Sequence, residues 1–241
     1  MNTRVTITFI LLLFFSFMQA QGLKGAFNKI KNELASTSGI SQEEAGMGLK
    51  EALNMGVGKA VDFLSTPDGY YKSAYKILLP EEAQQVTNKL KAVPGFANVE
   101  ADLVEKMNRA AEDAAEKAKP IFIDAIKKMT FTDAMNLLMG EKDAATRYLE
   151  KTTYDQLYTA FKPIIIESLD KVNAREYWKS ATTAYNKIPF VKKTNPELDD
   201  HVTKMALVGL FDLVEVKEKD IRENQASRTS DLLKKVFAKQ D

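Results

Sequence analysis

The sequence predicts an all-α fold, arranged as a single multi-helix, bundle-like domain of about nine helices. Three observations lead to this prediction. Apolar residues recur at spacings of three and four along most of the chain, which is the period of an amphipathic helix. Helix-start patterns such as Ser41 followed by Glu44, a capping box, precede several of these stretches. No stretch shows a sustained alternation of apolar and polar residues, which would be typical of a strand.

The first half of the chain divides into helices that end at glycine, proline or serine residues. We predict helices at residues 26–36, 41–64, 80–94, 98–118 and 121–129. Pro80 is expected to begin one of them, because proline is favoured at the first helical position. Pro120 is expected to break or kink another, because proline lacks the backbone N–H that a helix interior uses.

The second half divides in the same way at residues that cap helices. We predict helices at residues 132–140, 142–151, 153–169, 196–223 and 230–237, and a further helix that runs through Trp178 to about Lys187. Thr132 with Asp133, Asn195 and Ser230 are the expected N-terminal caps. Pro163 is expected to kink the helix that contains it.

The predicted helix at residues 196–223 is unusually apolar. Between Met205 and Val216 its only charged residues are Asp212 and Glu215. A helix that is apolar almost all round is normally buried on all sides. We therefore expect a buried, apolar helix near 196–223 at the centre of a single helical domain that spans residues 23–241.

Residues 1–20 have the order of a secretory signal peptide: Arg4, then an uncharged apolar run, then small or polar residues. The run from Val5 to Met18 is about 14 residues long, whereas a membrane-spanning helix needs about 20. A cleaved signal is therefore expected, and an uncleaved anchor is the alternative. The prediction is a periplasmic or secreted protein that is soluble and has no membrane span after cleavage.

Composition excludes several classes of function. Of 34 basic residues only Arg4 lies in the signal, and none of the 33 acidic residues does, so the remaining chain has zero net charge. Nucleic-acid binding needs a basic excess or a basic patch, and it is not expected. The chain has no Cys, so neither disulfides nor a lipid-modified cysteine is expected. We expect no cofactor.

A stripe of small residues repeats every four positions in the predicted helix at 41–64: Gly48, Ala52, Gly56 and Ala60. Each glycine costs a helix about 1 kcal/mol relative to alanine. The simpler interpretation is that another element packs very close against this stripe. The alternative is a small-residue groove that holds an apolar ligand.

Catalytic motifs are not found, and His201 is the only histidine. Glu197 lies one helical turn before it, so the two could share a metal. A catalytic zinc site usually needs three protein ligands, however. The expected role of His201 is therefore that of a surface or helix-end residue, and no metal site is predicted.

Two groups of residues are candidates for ligand binding. Asn108, Arg109 and Glu112 fall on the polar side of one predicted helix. They form either a solvated face with weak ion pairs or, if the helix lies between layers, a buried polar cluster. Arg222 and Arg228 flank the turn between the last two helices. They could hold an anion, although salt-bridged helix ends are the simpler interpretation.

Several strings in order resemble a known bacterial exported family, the domain-of-unknown-function family 4197. The strings are LKEAL at 49–53, DGYY at 68–71, NRAAEDAAEKAKPIF at 108–122, DAMNLLMG at 133–140, AATRYLEKTT at 144–153, VTKMALVGLF at 202–211 and RTSDLLKKVF at 228–237. The resemblance covers essentially the whole chain after the signal. It implies a secreted, all-helical protein and supplies no activity or catalytic residues.

Two classes of function follow. The first is a non-catalytic envelope protein that binds a small apolar or anionic ligand or a protein partner. The second is a carboxylate-dependent hydrolase of the cell envelope, with Glu112, Asp124 and Asp133 as the acids to test. Carboxylate-only catalysis needs two acids on either side of the bond to be cleaved.

Overall fold

A computed structural model describes residues 40–90, 97–187, 189–190, 192–195 and 197–238. Nine α-helices lie within these residues: α1 Gln42–Leu64, α2 Glu81–Leu90, α3 Val99–Ala115, α4 Ala118–Lys128, α5 Phe131–Leu138, α6 Ala144–Asp170, α7 Ala174–Tyr185, α8 Leu198–Glu223 and α9 Asp231–Phe237. A 3₁₀ turn, Gln225–Ser227, joins α8 to α9. The described residues contain no strand, so the all-α prediction is confirmed. The predicted signal peptide and the helix at 26–36 lie outside the described residues.

Helix α1 begins as the capping pattern predicts. The Ser41 hydroxyl accepts a hydrogen bond from the Glu44 N–H, and the Glu44 carboxylate accepts one from the Ser41 N–H, both at 3.0 Å. The small-residue stripe packs closely against other helices. A Cβ atom on Gly48 would lie 2.6 Å from Cγ2 of Val236 on α9. The tight-packing interpretation is therefore confirmed, and the space lined by Ala52 and Gly56 is about 10 Å³, too small for an apolar ligand.

Three predicted helix starts were wrong, and two of them concern α5 and α6. The cap of α5 is Thr130, whose side chain forms a capping box with Asp133, and Thr132 lies inside the helix. Helix α6 is one continuous helix, so the predicted break before Thr153 is absent. The Thr153 hydroxyl instead donates to the Leu149 carbonyl at 2.6 Å within the helix. Pro163 lies inside α6, between Phe161 and Ile165, and both of these residues are buried.

The ends and starts of the helices near the prolines differ by a few residues from the predicted ones. Helix α3 ends at Ala115, and α4 begins at Ala118, which places Pro120 in the first turn of α4, where its missing N–H costs no helical bond. Asn195 does not cap α8. Its side chain accepts a hydrogen bond from the Glu197 N–H, and α8 begins after Glu197 without a side-chain cap.

Helix α8 is the central helix, as predicted. It packs against α1, α3, α6 and α7, and α3 also packs against α6. Most of its apolar residues are buried, but Met205, Val208 and Val216 are 38–50% exposed along one side, so the expectation of burial on all sides was wrong there. Within the described residues, no other element therefore covers this side of α8. None of the helices described here combines the length and the hydropathy that a membrane crossing requires.

Candidate functional site

Asn108 on α3 is fully buried and binds the backbone of the segment that follows α1. Its carboxamide oxygen accepts the Ile77 N–H, and its nitrogen donates to the Ile77 carbonyl, both at 2.8 Å. The same nitrogen donates to Val104 on the preceding turn. The side chain thus pairs with one residue as a neighbouring strand would, and it holds this segment against α3.

Glu112, one turn further along α3, holds the same segment by its charge. One carboxylate oxygen accepts the N–H groups of Tyr70 and Tyr71 at 3.1 and 3.0 Å. The other oxygen pairs with Arg109 at 2.9 Å, and Arg109 also contacts Asp68 at 2.8 Å. Hydrogen bonds from Lys72 and then Arg109 lower the pKa of Asp68. The solvated-face interpretation is therefore wrong for Asn108 and Glu112, and the buried-cluster interpretation is confirmed.

Arg222 and Arg228 are both buried at the far end of α8. Arg222 pairs with Glu218 at 2.8 Å and donates to the Leu137 and Leu138 carbonyls at the end of α5. Arg228 donates to the Ile221 and Arg222 carbonyls. These bonds join α8 to its neighbours. Ligand binding by these two arginines, or by Asn108, Arg109 and Glu112, stays a prediction.

The three acids considered for hydrolysis lie in three separate settings. Glu112 is buried in the α3 cluster, Asp124 pairs with Lys128 on the exposed face of α4, and Asp133 caps α5. Each carboxylate is engaged by its own partner. The geometry therefore does not assemble the pair of facing acids that such a reaction requires.

A groove at the start of α8 was not predicted from the sequence. It encloses about 270 Å³ between α7, the segment Lys193 to Asn195 and the first turns of α8. Its lining combines apolar walls with charged and polar groups: Pro80, Trp178, Lys193, Thr194, Asn195, Glu197, Leu198, Asp200, His201 and Lys204. These residues come from distant parts of the chain, so no local pattern could have revealed the groove.

Hydrogen bonds to the backbone fix one wall of the groove. The Asn186 side chain donates to the Thr194 carbonyl and accepts the Thr194 N–H, both at 2.8 Å. The Trp178 indole N–H donates to the Asn195 carbonyl at 3.2 Å. Thr194 is only 6% exposed, and its hydroxyl has no hydrogen-bond partner within the described residues. Thr194, which is one of the residues that line the groove, thus has a buried hydroxyl that no described residue satisfies.

The opposite wall is formed by the first turns of α8. His201 Nε2 lies 2.9 Å from the Leu78 carbonyl, so Nε2 carries the hydrogen. Asp200 accepts hydrogen bonds from the Tyr158 hydroxyl at 2.7 Å and from Lys204 at 2.9 Å. Burial raises the pKa of Asp200, but the hydrogen bonds from Lys204 and Tyr158 outweigh it and hold that pKa below its ordinary value. Asp200 is therefore ionised at neutral pH, and the Lys204 ammonium group balances its charge.

A second groove, of about 340 Å³, lies between α3 and the end of α6. Four of its polar groups form two pairs within the groove: Ser168 donates to Asp113 at 2.8 Å, and Arg109 contacts Glu105 at 3.5 Å. In the part of the chain that the structure describes, no three His, Cys, Asp or Glu side chains group closely enough to hold a metal. The groove at the start of α8 is therefore the better candidate for a small ligand.

Fold and sites together define an all-α protein of the multi-helix type, in which buried polar clusters join the helices. The chain belongs to the family described as Protein of unknown function (DUF4197), whose sequence model matches residues 39–238. The match confirms the family resemblance drawn from the ordered strings. No curated protein and no solved structure matches the chain.

Proposed function

We propose that this protein is an exported, non-catalytic binding protein. Its site is the groove at the start of α8, and its ligand is a small molecule with a carboxylate or phosphate group. The buried Thr194 hydroxyl carries the proposal, because it has no partner within the described residues. Leaving a buried hydroxyl without a hydrogen bond costs about 1–3 kcal/mol. A ligand atom that accepts or donates there would remove this cost.

The charges around Thr194 favour an acidic group on the ligand. Asp200 is balanced by Lys204, so the Lys193 ammonium group is the cation of the groove lining that is available to an acidic group. The N-terminus of α8 adds a partial positive charge. Glu197 opposes an anion, but it is exposed, and its charge is screened by water.

The apolar walls and the size of the groove limit the rest of the ligand. Trp178, Pro80 and Leu198 supply apolar surface. A volume of about 270 Å³ lies just below the range of roughly 300–1,000 Å³ for drug-sized ligands. A metabolite with one acidic group and a short apolar or ring portion therefore fits better than a lipid or a long peptide.

One measurement tests this proposal directly, since the chain has one His and one Trp and both line the groove. Heteronuclear NMR of the His201 imidazole and the Trp178 indole would follow titrations with inorganic phosphate and with benzoate at constant pH. We expect saturable shifts of both side chains with at least one probe, at a Kd below about 10 mM. No shift with either probe, together with an unliganded native mass of the purified protein, would contradict the proposal.

Variants separate specific binding from general charge effects. Thr194→Val and Lys193→Ala should each weaken the response about tenfold, because each removes a polar partner of the acidic group. Lys171→Ala is the matched control, since Lys171 is an exposed lysine that lies outside this groove. A similar loss in all three variants would indicate non-specific attraction and would contradict the proposed site.

The exported location is part of the proposal and rests on the apolar run after Arg4. Fractionation of cells that make the full chain should place the protein outside the cytoplasm. The intact mass should show that the first 20 residues have been removed. A full-length mass in a membrane fraction would instead indicate an uncleaved anchor.

A further inference from the structure

The acidic side chains of α8 differ in one respect. Seven acids lie on this helix, and six of them accept a hydrogen bond or an ion pair: Asp199, Asp200, Glu215, Glu218, Asp220 and Glu223. Asp212 is the exception among the described residues. Of the nearby lysines on its helix, Lys204 pairs with Asp200 and Lys219 with Glu215. Lys217 lies on another side of the helix, where its Cβ faces Gly56 of α1.

Asp212 lies in the middle of the exposed apolar strip of α8. Met205, Val208 and Val216 are 38%, 47% and 50% exposed, and they stand seven and four residues before it and four after it. At 3.6 residues per turn, these spacings place all four side chains on one side of the helix. Burial, and then the nearby charge of Glu215, raises the pKa of Asp212. Asp212 is itself exposed, and its charge lies beside apolar surface without a counter-ion among the described residues.

The apolar surface continues beyond α8. Tyr75 packs on Gly209, so that a Cβ there would lie 3.3 Å from the Cβ of Tyr75. Phe63 of α1 contacts Tyr75 edge to face, with ring centroids 6.5 Å apart. Phe63 is itself exposed. The docking strip, defined here as Phe63, Met205, Val208, Asp212 and Val216, is therefore a connected surface and not a set of isolated side chains.

We propose that the docking strip binds an amphipathic helix of a partner protein that places a lysine or arginine opposite Asp212. From Met205 to Val216 the strip runs about 17 Å along α8, the length of a three-turn helix. Apolar side chains of the partner would cover Met205, Val208 and Val216. Its cation would supply the charge that Asp212 lacks among the described residues.

Charge complementarity also decides against two other occupants. A second copy related by a two-fold axis through the strip would bring two Asp212 carboxylates together, which is unfavourable. An anionic membrane surface would repel Asp212, because such surfaces attract lysine and arginine clusters. The proposal concerns a different surface from the groove, and its test does not depend on ligand binding there.

Site-specific photo-crosslinking from position 208 of the full chain, in cells that make the protein, tests the proposal. We expect an adduct with another protein, in which the crosslinked peptide is an amphipathic helix with a lysine or arginine within one turn. Asp212→Lys should lower the adduct yield at least about fivefold, the effect of one exposed charge pair, and Asp212→Asn should lower it less. A crosslinker at Val172, which is 41% exposed and outside the strip, is the matched control.

A charge exchange completes the test. The crosslinked peptide would be synthesised with its basic residue or with glutamate at that position. The basic peptide should bind the wild type more tightly, and the glutamate peptide should bind the Asp212→Lys variant more tightly. Adducts only with a second copy or with lipid, no adduct, or a yield unaffected by Asp212→Lys would overturn the proposal. Circular dichroism would verify that the variants are folded.

Discussion

The α3 cluster and the groove at the start of α8 both place polar side chains beside the segment that follows α1, but they use them differently. In the cluster, Asn108 and Glu112 bind the backbone of Ile77, Tyr70 and Tyr71. In the groove, the Thr194 hydroxyl is buried and has no partner within the described residues. The difference teaches that a buried polar residue indicates a ligand site only when its hydrogen-bonding groups are left unused.

Among the variants that test this comparison, removal of Glu112 should change the free energy of unfolding most. Glu112→Ala leaves the N–H groups of Tyr70 and Tyr71 without their acceptor, and it leaves Arg109 without one of its counter-ions. We expect the free energy of unfolding to fall by about 3 kcal/mol, measured by urea-induced unfolding monitored by circular dichroism.

Glu105→Ala is the control, because Glu105 contacts the same arginine, Arg109, but is exposed. Its loss should cost less than about 0.5 kcal/mol. If both variants lost the same stability, the α3 cluster would be a solvated face after all, and its contrast with the groove would disappear.

Two glycines of α1 extend the comparison to apolar contacts. A Cβ on Gly48 would lie 2.6 Å from Val236, whereas nothing lies within 4 Å of one on Gly58. Gly48→Ala should lower the free energy of unfolding by about 1–3 kcal/mol through overpacking. Gly58→Ala should raise it by up to about 1 kcal/mol through helix propensity.

Thermal and urea unfolding of both variants would measure these effects. Gly48→Ala combined with Val236→Ala should recover part of the loss, because the shorter side chain makes room for the new methyl group. A stabilising Gly48→Ala would mean that α9 does not pack closely on α1.

These residues show how far the sequence predicts the structure. Local patterns were sufficient where neighbouring residues decide the outcome, as in the capping box of Ser41 and Glu44. They failed at Thr153, whose hydroxyl binds inside a continuous helix. That helix continues because packing buries it, and burial depends on residues far away in sequence.

The candidate sites follow the same rule. The polar face of α3 was visible as a pattern, but its burial depends on the segment around Tyr70 and Ile77 that covers it. The groove joins Pro80, Trp178, Thr194 and His201 from three parts of the chain. Only the packing of α7 and α8 brings these residues together, so no spacing in the sequence could indicate it.

For the groove we expect a smaller change in the free energy of unfolding, and an increase where the Glu112 variant shows a decrease. Thr194→Val replaces the unpartnered hydroxyl with a methyl group of similar size. Because an unsatisfied buried hydroxyl is costly, the free energy of unfolding should rise by about 1 kcal/mol, while the response to the acidic probes weakens about tenfold. Thr182→Val is the matched control.

The Thr182 hydroxyl is equally buried but donates to the Trp178 carbonyl at 2.9 Å. Its removal should lower the free energy of unfolding by up to about 1 kcal/mol. Urea unfolding of the two variants under the same conditions would measure both changes. A destabilising Thr194→Val would show that the hydroxyl is satisfied, and the distinction between cluster and groove would then fail.

The smallest change in the free energy of unfolding is expected for Asp212 and Asp200. Both lie on α8, and their surroundings shift their pKa values in opposite directions. Burial raises the pKa of Asp212, so its ionised form is less favourable in the folded protein than in the unfolded chain. The cost is absent below the unfolded pKa of about 3.9 and fully present above the folded pKa. Asp212→Asn should therefore raise the free energy of unfolding at neutral pH, by less than about 0.5 kcal/mol after solvent screening, and should have no effect in acid.

The pKa of Asp200 is lowered, since its hydrogen bonds outweigh burial. Asp200→Asn should therefore lower the free energy of unfolding at neutral pH, and this loss should vanish as the pH falls through the folded pKa. Urea unfolding between pH 3 and pH 7 measures both. Equal signs for the two variants would mean that Asp212 has a counter-ion within the chain, and the docking strip would lose the charge that defines its partner.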